Sequence, residues 1–253
     1  MNTPLVLFIY NRPKNVKKII LNIRKIKPKK IFVFADGPKN KKDKLNCIKS
    51  IQALDKVDWT EEIQIIKNKT NLGLKKNIKK GLDIVFKKCS KAIILEDDCI
   101  PNKSFFEFCE IFLDYYKNEK KIAGITGNNF NNLSGYDTYY FSKYSSIWGW
   151  ATWKRVWETV DINILFWKKF KKSKKWKNYF HEKTECEFWT KIFDDVYDGK
   201  YNSWAYPYLL SNFYHQRLTI VPKKNLVENI GFNKNATNTY KKYEIYNQKK
   251  NKM

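Results

Sequence analysis

Ala92-Ile93-Ile94-Leu95-Glu96-Asp97-Asp98 is the stretch on which the fold turns. Four consecutive apolar residues, two of them β-branched, are the pattern of a strand covered on both faces, as in the middle of a parallel sheet. The run stops at three adjacent carboxylates. Acids this close repel one another, so the cluster calls for a neutralising cation or a set of donors, and a divalent metal beside an anionic ligand would serve. In open α/β sheets ligands sit beyond the carboxyl ends of the strands, which is where these acids fall. The same acids would also suit the N-terminus of a following helix as solvated capping residues.

Outward from this run, strands and helices alternate. Leu5 to Tyr10 reads as a strand that ends in Asn11-Arg12-Pro13, and Val16, Ile19, Ile20 and Ile23 then repeat at helical period. A strand at 31–35 ends in Asp36-Gly37-Pro38, and a lysine-rich helix runs to about Leu54. A third strand at 62–66, the turn Asn71-Leu72-Gly73 and a helix at 74–88 lead into the acidic strand. Beyond it, a helix is expected over 101–116 with Phe105, Phe108, Ile111, Phe112 and Tyr115 inward, then a strand at 122–126. The alternation predicts a parallel, doubly wound sheet, and 253 residues suffice for one large domain.

The composition changes after Gly127. Asn128, Asn129, Asn131 and Asn132 precede Leu133-Ser134-Gly135 and read as a long functional loop. Trp148-Gly149-Trp150 reads either as an aromatic core layer or as a platform for a sugar ring. Trp167 to Lys177 alternates lysines with Trp167, Phe170 and Trp176, which suits an interfacial segment on anionic lipid or a flexible basic loop. A helix opening at Thr184 has Phe188, Trp189, Ile192, Phe193 and Val196 as its apolar stripe. A last helix at 204–216, a strand at 218–221, an extended return at 226–230 and a polar, lysine-rich tail from Tyr240 complete the chain.

Charge and cysteine content narrow the function. A net charge of +25 favours anionic partners, either phosphates, a nucleoside diphosphate or an acidic membrane surface. Lysine supplies nearly all of it, so Arg12, Arg24, Arg155 and Arg217, as better bidentate phosphate ligands, are informative where they occur. No apolar run approaches the roughly 20 residues of a membrane span, and the expectation is a cytoplasmic protein. Five cysteines without a CxxC pair read as reduced thiols, and His181 and His215 lack a partner at ligand spacing.

The order of motifs resembles a GT-A-fold glycosyltransferase, in particular the inverting GlcNAc-transferase of N-glycan processing and small bacterial sugar transferases. The likeness is carried by Tyr10-Asn11-Arg12, Ala35-Asp36-Gly37, Leu95-Glu96-Asp97-Asp98, Pro101 with Phe105-Phe106, Thr126-Gly127-Asn128-Asn129 and Trp148-Gly149-Trp150. It covers the chain well to about Trp157 and thinly beyond. The resemblance implies a single domain over 1–239 with a Rossmann-like, mostly parallel sheet. Residues 1–127 would form its nucleotide-sugar half and 128–239 its acceptor half, with a basic tail at 240–253. It also implies a UDP-sugar or similar donor and Mn2+ or Mg2+ held by Asp98. Glu96 and Asp97 would meet donor-sugar hydroxyls, Asn11 and Arg12 the diphosphate, and Asp36 the base, and Trp148, Gly149 and Trp150 would line the acceptor. Asp36 reads equally as a turn residue before Gly-Pro.

An inverting transfer needs a carboxylate to take the acceptor's proton. The family carries it at a helix start after the aromatic segment, which points to Glu185, while Thr184-x-x-Glu187 reads as a capping box. Glu187 is the alternative, and Asp194 and Asp195 lie further out. Small bacterial members often carry Asp where Ala205 stands and His where Asn238 stands, so weakened metal binding or an inactive nucleotide-sugar-binding homologue is also consistent. The expected acceptor is a lipid-linked or other glycan, reached at the inner face of the membrane. A sugar nucleotidyltransferase would want a glycine-rich loop after the first strand, which Tyr10-Asn11-Arg12-Pro13 lacks. Charge and aromatic content alone would allow a nucleic-acid binder, but no recognition module is present and no nucleic-acid partner is expected.

Overall fold

The computed structural model describes residues 1–130 and 138–231. The chain begins with β1 (Leu5–Ile9), α1 (Pro13–Arg24), β2 (Lys30–Ala35), α2 (Lys41–Gln52), β3 (Glu62–Lys67), α3 (Leu74–Lys88) and β4 (Lys91–Glu96). Then follow β5 (Cys99–Pro101), α4 (Lys103–Tyr115), β6 (Ile122–Thr126), β7 (Tyr139–Ser142), β8 (Trp150–Trp153), α5 (Lys154–Trp157), α6 (Trp167–Phe170) and α7 (Lys174–Lys177). The described part closes with α8 (Lys183–Tyr197), α9 (Ala205–Tyr214), β9 (Leu218–Pro222) and β10 (Val227–Asn229).

The large sheet has the order β3-β2-β1-β4-β8-β6-β9-β7. β1 pairs in parallel with both β2 and β4, aligning Phe8 with Glu96 and Ile9 with Ala35. β8 runs antiparallel between β4 and β6, and β7 antiparallel to β9. This is an α/β fold with a mixed, mostly parallel sheet flanked by helices. The two halves expected from the resemblance share that one sheet, because β8 from the second half sits between β4 and β6 from the first. Ala92, Ile93, Ile94 and Leu95 are fully buried, as the uninterrupted apolar run requires.

Proline at the first position of α1 supplies a preset φ where no backbone donor is needed, and Val16, Ile19, Ile20 and Ile23 face the sheet. The three acids do not cap a helix. The short β5 intervenes, and α4 is capped by Asn102, whose side chain accepts from Phe105 N at 2.9 Å. The inward face of α4 is Phe105, Phe106, Phe108, Cys109 and Leu113, so Ile111 and Tyr115, expected inside, are largely exposed.

A second apolar cluster gathers Trp167, Phe170, Trp176, Phe180, Phe193, Leu210 and Phe213. Trp167 and Trp176 are 0% and 1% exposed, and their indole N–H groups donate inward to Asp194 and to Thr190. The 167–177 segment is therefore a pair of one-turn helices anchored in a core, not a flexible loop, and its rings are not available to enter a bilayer. Phe188, expected in the apolar stripe of α8, faces outward at 57% exposure. All five cysteines are free thiols. Asn131, Asn132, the Leu133-Ser134-Gly135 turn, Asn238 and the tail lie outside the described residues.

Candidate active site

The sheet winds from β1 outward to β2 and β3, then reverses and places β4 on the other side of β1. The loops leaving two adjacent parallel strands in opposite directions open a crevice, and ligands of open α/β sheets bind there. Arg12 follows β1, and Asp97 and Asp98 follow β4. Arg12 Nη1 donates to Asp97 Oδ1 at 3.0 Å and to Asp98 Oδ2 at 2.9 Å, so one guanidinium bridges both carboxylates. Tyr10 N donates to the other oxygen of Asp97 at 3.2 Å. The neutralising cation that the acid cluster requires is thus supplied in part by the chain itself.

Among the described residues one positive charge faces three carboxyls. Burial, with the charges of Asp98 and Asp97 beside it, pushes Glu96 up to about 8. Burial also raises Asp97, and Arg12 offsets part of that rise. Asp98 meets a weaker partner at its second oxygen, the Cys99 thiol at 3.5 Å. Gly231 lies against the Asp98 carboxylate so closely that a β-carbon there would be 2.5 Å from Oδ2, a contact no side chain could make without displacement. Among the described residues no three His, Cys, Asp or Glu side chains group around a point as a metal cage would. The donor set instead fits a divalent cation held by one carboxylate and completed by ligand phosphates, the usual way magnesium is bound beside a substrate diphosphate.

The rest of the crevice is built by close packing. β5 and β10 form a two-stranded antiparallel sheet under the acids, and Ile230 N donates to the Asp98 carbonyl at 2.8 Å. Gly149 precedes β8 at φ 65°, and Val227 would lie 2.7 Å from any β-carbon there, so this position is confined to glycine. Gly127 N donates to the Gly149 carbonyl at 2.7 Å, bringing the end of β6 to the same sheet edge. Of the expected acceptor platform, Trp150 is buried and stacks on Trp204 at 5.3 Å with 25° between the rings, which makes it core. Trp148 is half-buried, packs against the main core and lies edge-on to Phe130.

Two expected donor ligands have other work. Both Asp36 oxygens are taken: Gly37 N, Leu72 N and Asn68 Nδ2 donate to Oδ1, and Gly73 N and Asn71 Nδ2 to Oδ2, at 2.9–3.2 Å. A carboxylate accepting five donors has no lone pair left for a nucleobase, so Asp36 ties the loop after β2 to the loop before α3. Asn11 Nδ2 donates to Asp43 Oδ1 at 2.9 Å, and Tyr10 Oη to Asp43 Oδ2 at 2.5 Å. Asp43 thereby fixes the loop that carries Arg12, and these bonds hold its carboxyl below the usual range despite some burial.

Glu185 stands in the first turn of α8, at the helix start as expected, whereas Glu187 does not form the expected capping box. Lys143 Nζ lies 2.9 Å from Glu185 Oε1 and 3.0 Å from Oε2, and the same ammonium sits over the Phe180 ring. The ammonium takes two of the carboxylate's roughly four lone-pair sites, and none of the described partners of Glu185 belongs to the acid cluster after β4. α8 starts at Lys183 with no side-chain cap, so Thr184 and Glu187 form no capping box; Glu187 is exposed and pairs loosely with Lys183 at 3.6 Å. Asp194 is held by Trp167 and Lys171, and Asp195 by Lys200. Asp43, Asn68, Cys99 and Gly231 carry no signal in the sequence that sets them apart. Gly37 and the Asn71-Leu72-Gly73 turn, which supply four of the five Asp36 donors, are legible in the sequence only as turns.

No family model matches the chain, and no curated protein matches it. Among solved structures, apo-UDP-glucose pyrophosphorylase is similar at 9% identity and TM-score 0.43, over 88% of this chain and 90% of that one. An active-site mutant of LgtC is similar at 11% identity and TM-score 0.41, over 84% of this chain and 70% of that one. HddC from Yersinia pseudotuberculosis complexed with GMP-PN is similar at 15% identity and TM-score 0.32, over 49% of this chain and 60% of the length of HddC. These likenesses are ones of general α/β outline, and the site is read from its own geometry.

Proposed function

We propose that the chain is a glycosyltransferase that takes a sugar from a nucleoside-diphosphate donor, a UDP-sugar in the simplest case, and passes it to a glycan or lipid-linked acceptor with inversion. The observation that carries this reading is Arg12 bridging Asp97 and Asp98 at the reversal point of the sheet. A diphosphate is an anion that suits a guanidinium, and a carboxylate beside it suits a shared Mn2+ or Mg2+. A bound cation there would supply charge stabilisation to the departing nucleoside diphosphate. Arg12 would bind and orient the phosphates, and Asp98 would hold the cation. Glu96, whose carboxyl burial pushes up, would meet a sugar hydroxyl.

The resemblance of the ordered motifs to GT-A glycosyltransferases supports the same reading. A sugar nucleotidyltransferase is the second reading, since an α/β sheet with a reversal point also serves that chemistry. The loop Tyr10-Asn11-Arg12-Pro13 counts against it, having no glycine to let backbone donors wrap a triphosphate. A thermal-shift screen of nucleotide sugars with and without manganese is the test, because a ligand binding only the native state raises its stability. Stabilisation by nucleoside diphosphates and their sugars, enhanced by manganese, is expected. Stabilisation confined to nucleoside triphosphates and sugar 1-phosphates would favour the second reading.

A further inference from the structure

The segment 162–181 contains seven lysines and no acid. Its aromatic residues Trp167, Phe170, Trp176 and Phe180 all point into the second core, which turns the intervening lysines outward. Three of the seven are engaged: Lys171 pairs with Asp194 at 2.7 Å, Lys168 lies over the Tyr197 ring, and Lys175 over Tyr214. Lys169, Lys172, Lys174 and Lys177 are exposed, and none forms an ion pair with a described residue. No described acid pairs with them. Asp161 accepts from Asn163 N and Leu165 N, Asp195 pairs with Lys200, and Glu187 with Lys183. Leu165, at the start of the same face, is 73% exposed.

We propose that this α6–α7 face is a docking surface for an anionic lipid bilayer, held by charge and not by ring insertion. Four exposed ammonium groups within nine residues, none with an ion-pair partner among the described residues, and an exposed leucine nearby match a surface of diffuse negative charge over a hydrocarbon boundary. Nucleic acid fits less well. Its readers rely on arginine forks and exposed aromatic faces for stacking, whereas this face has no arginine and keeps its rings inside. Docking of this kind is independent of the chemistry of the acid crevice and stands or falls without it.

The test is sedimentation of the full chain with vesicles of phosphatidylcholine alone or with about 30% phosphatidylserine, an anionic surface of the kind that attracts polybasic segments, at low and high salt. The wild type is expected to pellet with the anionic vesicles only and to be released by salt, with a Debye length that shrinks from about 10 Å at 0.1 M to about 3 Å at 1 M. Replacing Lys169, Lys172, Lys174 and Lys177 by Gln removes four contacts of about fivefold each, so binding should fall on the order of 100-fold or more. A control with Lys41, Lys42, Lys44 and Lys49 of α2 replaced by Gln loses the same net charge and should still bind. Equal loss in both variants would mean bulk charge and not a face, and would overturn the proposal. So would binding to neutral vesicles, or tighter binding to duplex DNA or RNA that only the 169–177 variant loses.

Discussion

Two regions of this molecule pair a carboxylate with a cation, and the contrast separates function from architecture. At the sheet reversal, Arg12 bridges Asp97 and Asp98 beside Glu96, so among the described residues carboxyls outnumber the cation. In the second cluster, Lys143 and Glu185 match one to one and are covered by Phe180 and Tyr144. A balanced pair among rings is a finished structural unit. The unbalanced group at the strand ends is the one proposed above as the ligand site.

The largest effect expected is on the unbalanced side. Asp98→Asn should lower turnover by about 10²–10³-fold, the scale for losing one electrostatic contact to the transition state, with little change in melting temperature. Steady-state kinetics at saturating donor and manganese check this, and wild-type turnover would remove the metal-holding role. Asp36→Ala should act on stability instead: it strands several buried donors, each costing about 1–3 kcal/mol when unsatisfied, so urea denaturation should show a loss of at least about 2 kcal/mol. If stability is unchanged and nucleobase discrimination is lost, Asp36 is a donor ligand after all.

Arg12→Ala should weaken nucleoside-diphosphate binding by about 1.5–3 kcal/mol, the range for a charge-assisted hydrogen bond, as read by calorimetry. The smallest effect belongs to the balanced pair. Glu185→Gln should cost up to about 1 kcal/mol of stability, typical of a partly exposed ion pair, and leave turnover within a factor of two or three. A drop of about 10²–10⁴-fold, as for loss of a general base, would erase the distinction between the two regions.

Much of the sheet was legible because its strands are continuous apolar runs with turn residues behind them; β1, β2, β4 and β6 appear where the pattern put them. β8 was not, because its tryptophans read only as a core layer or a sugar platform, and it is the pairing with both β4 and β6 that makes Trp150 to Trp153 a strand. The direction of the rings in 167–177 was hidden for another reason. Helices of one turn are too short to show a period, so core anchors and lipid anchors have the same spelling. Strand-end positions of Arg12, Asp97 and Asp98 could be read, but not that one guanidinium meets both acids. The partners of Asp36 lie up to 37 residues away, and Lys143 lies 42 from Glu185. Such long-range pairings decide whether a carboxylate is free to act, and local sequence does not encode them.

On the proposed function, the strand-end site binds a nucleoside diphosphate through Arg12 and a cation at Asp98. Calorimetric titration of UDP into the wild type, Asp98→Asn and Glu185→Gln, each with and without manganese, tests it most directly. Manganese-enhanced binding is expected in the wild type and Glu185→Gln, and no enhancement in Asp98→Asn. Enhancement of equal size in all three, or no nucleotide binding to the wild type under either condition with UDP, GDP or ADP, would contradict it.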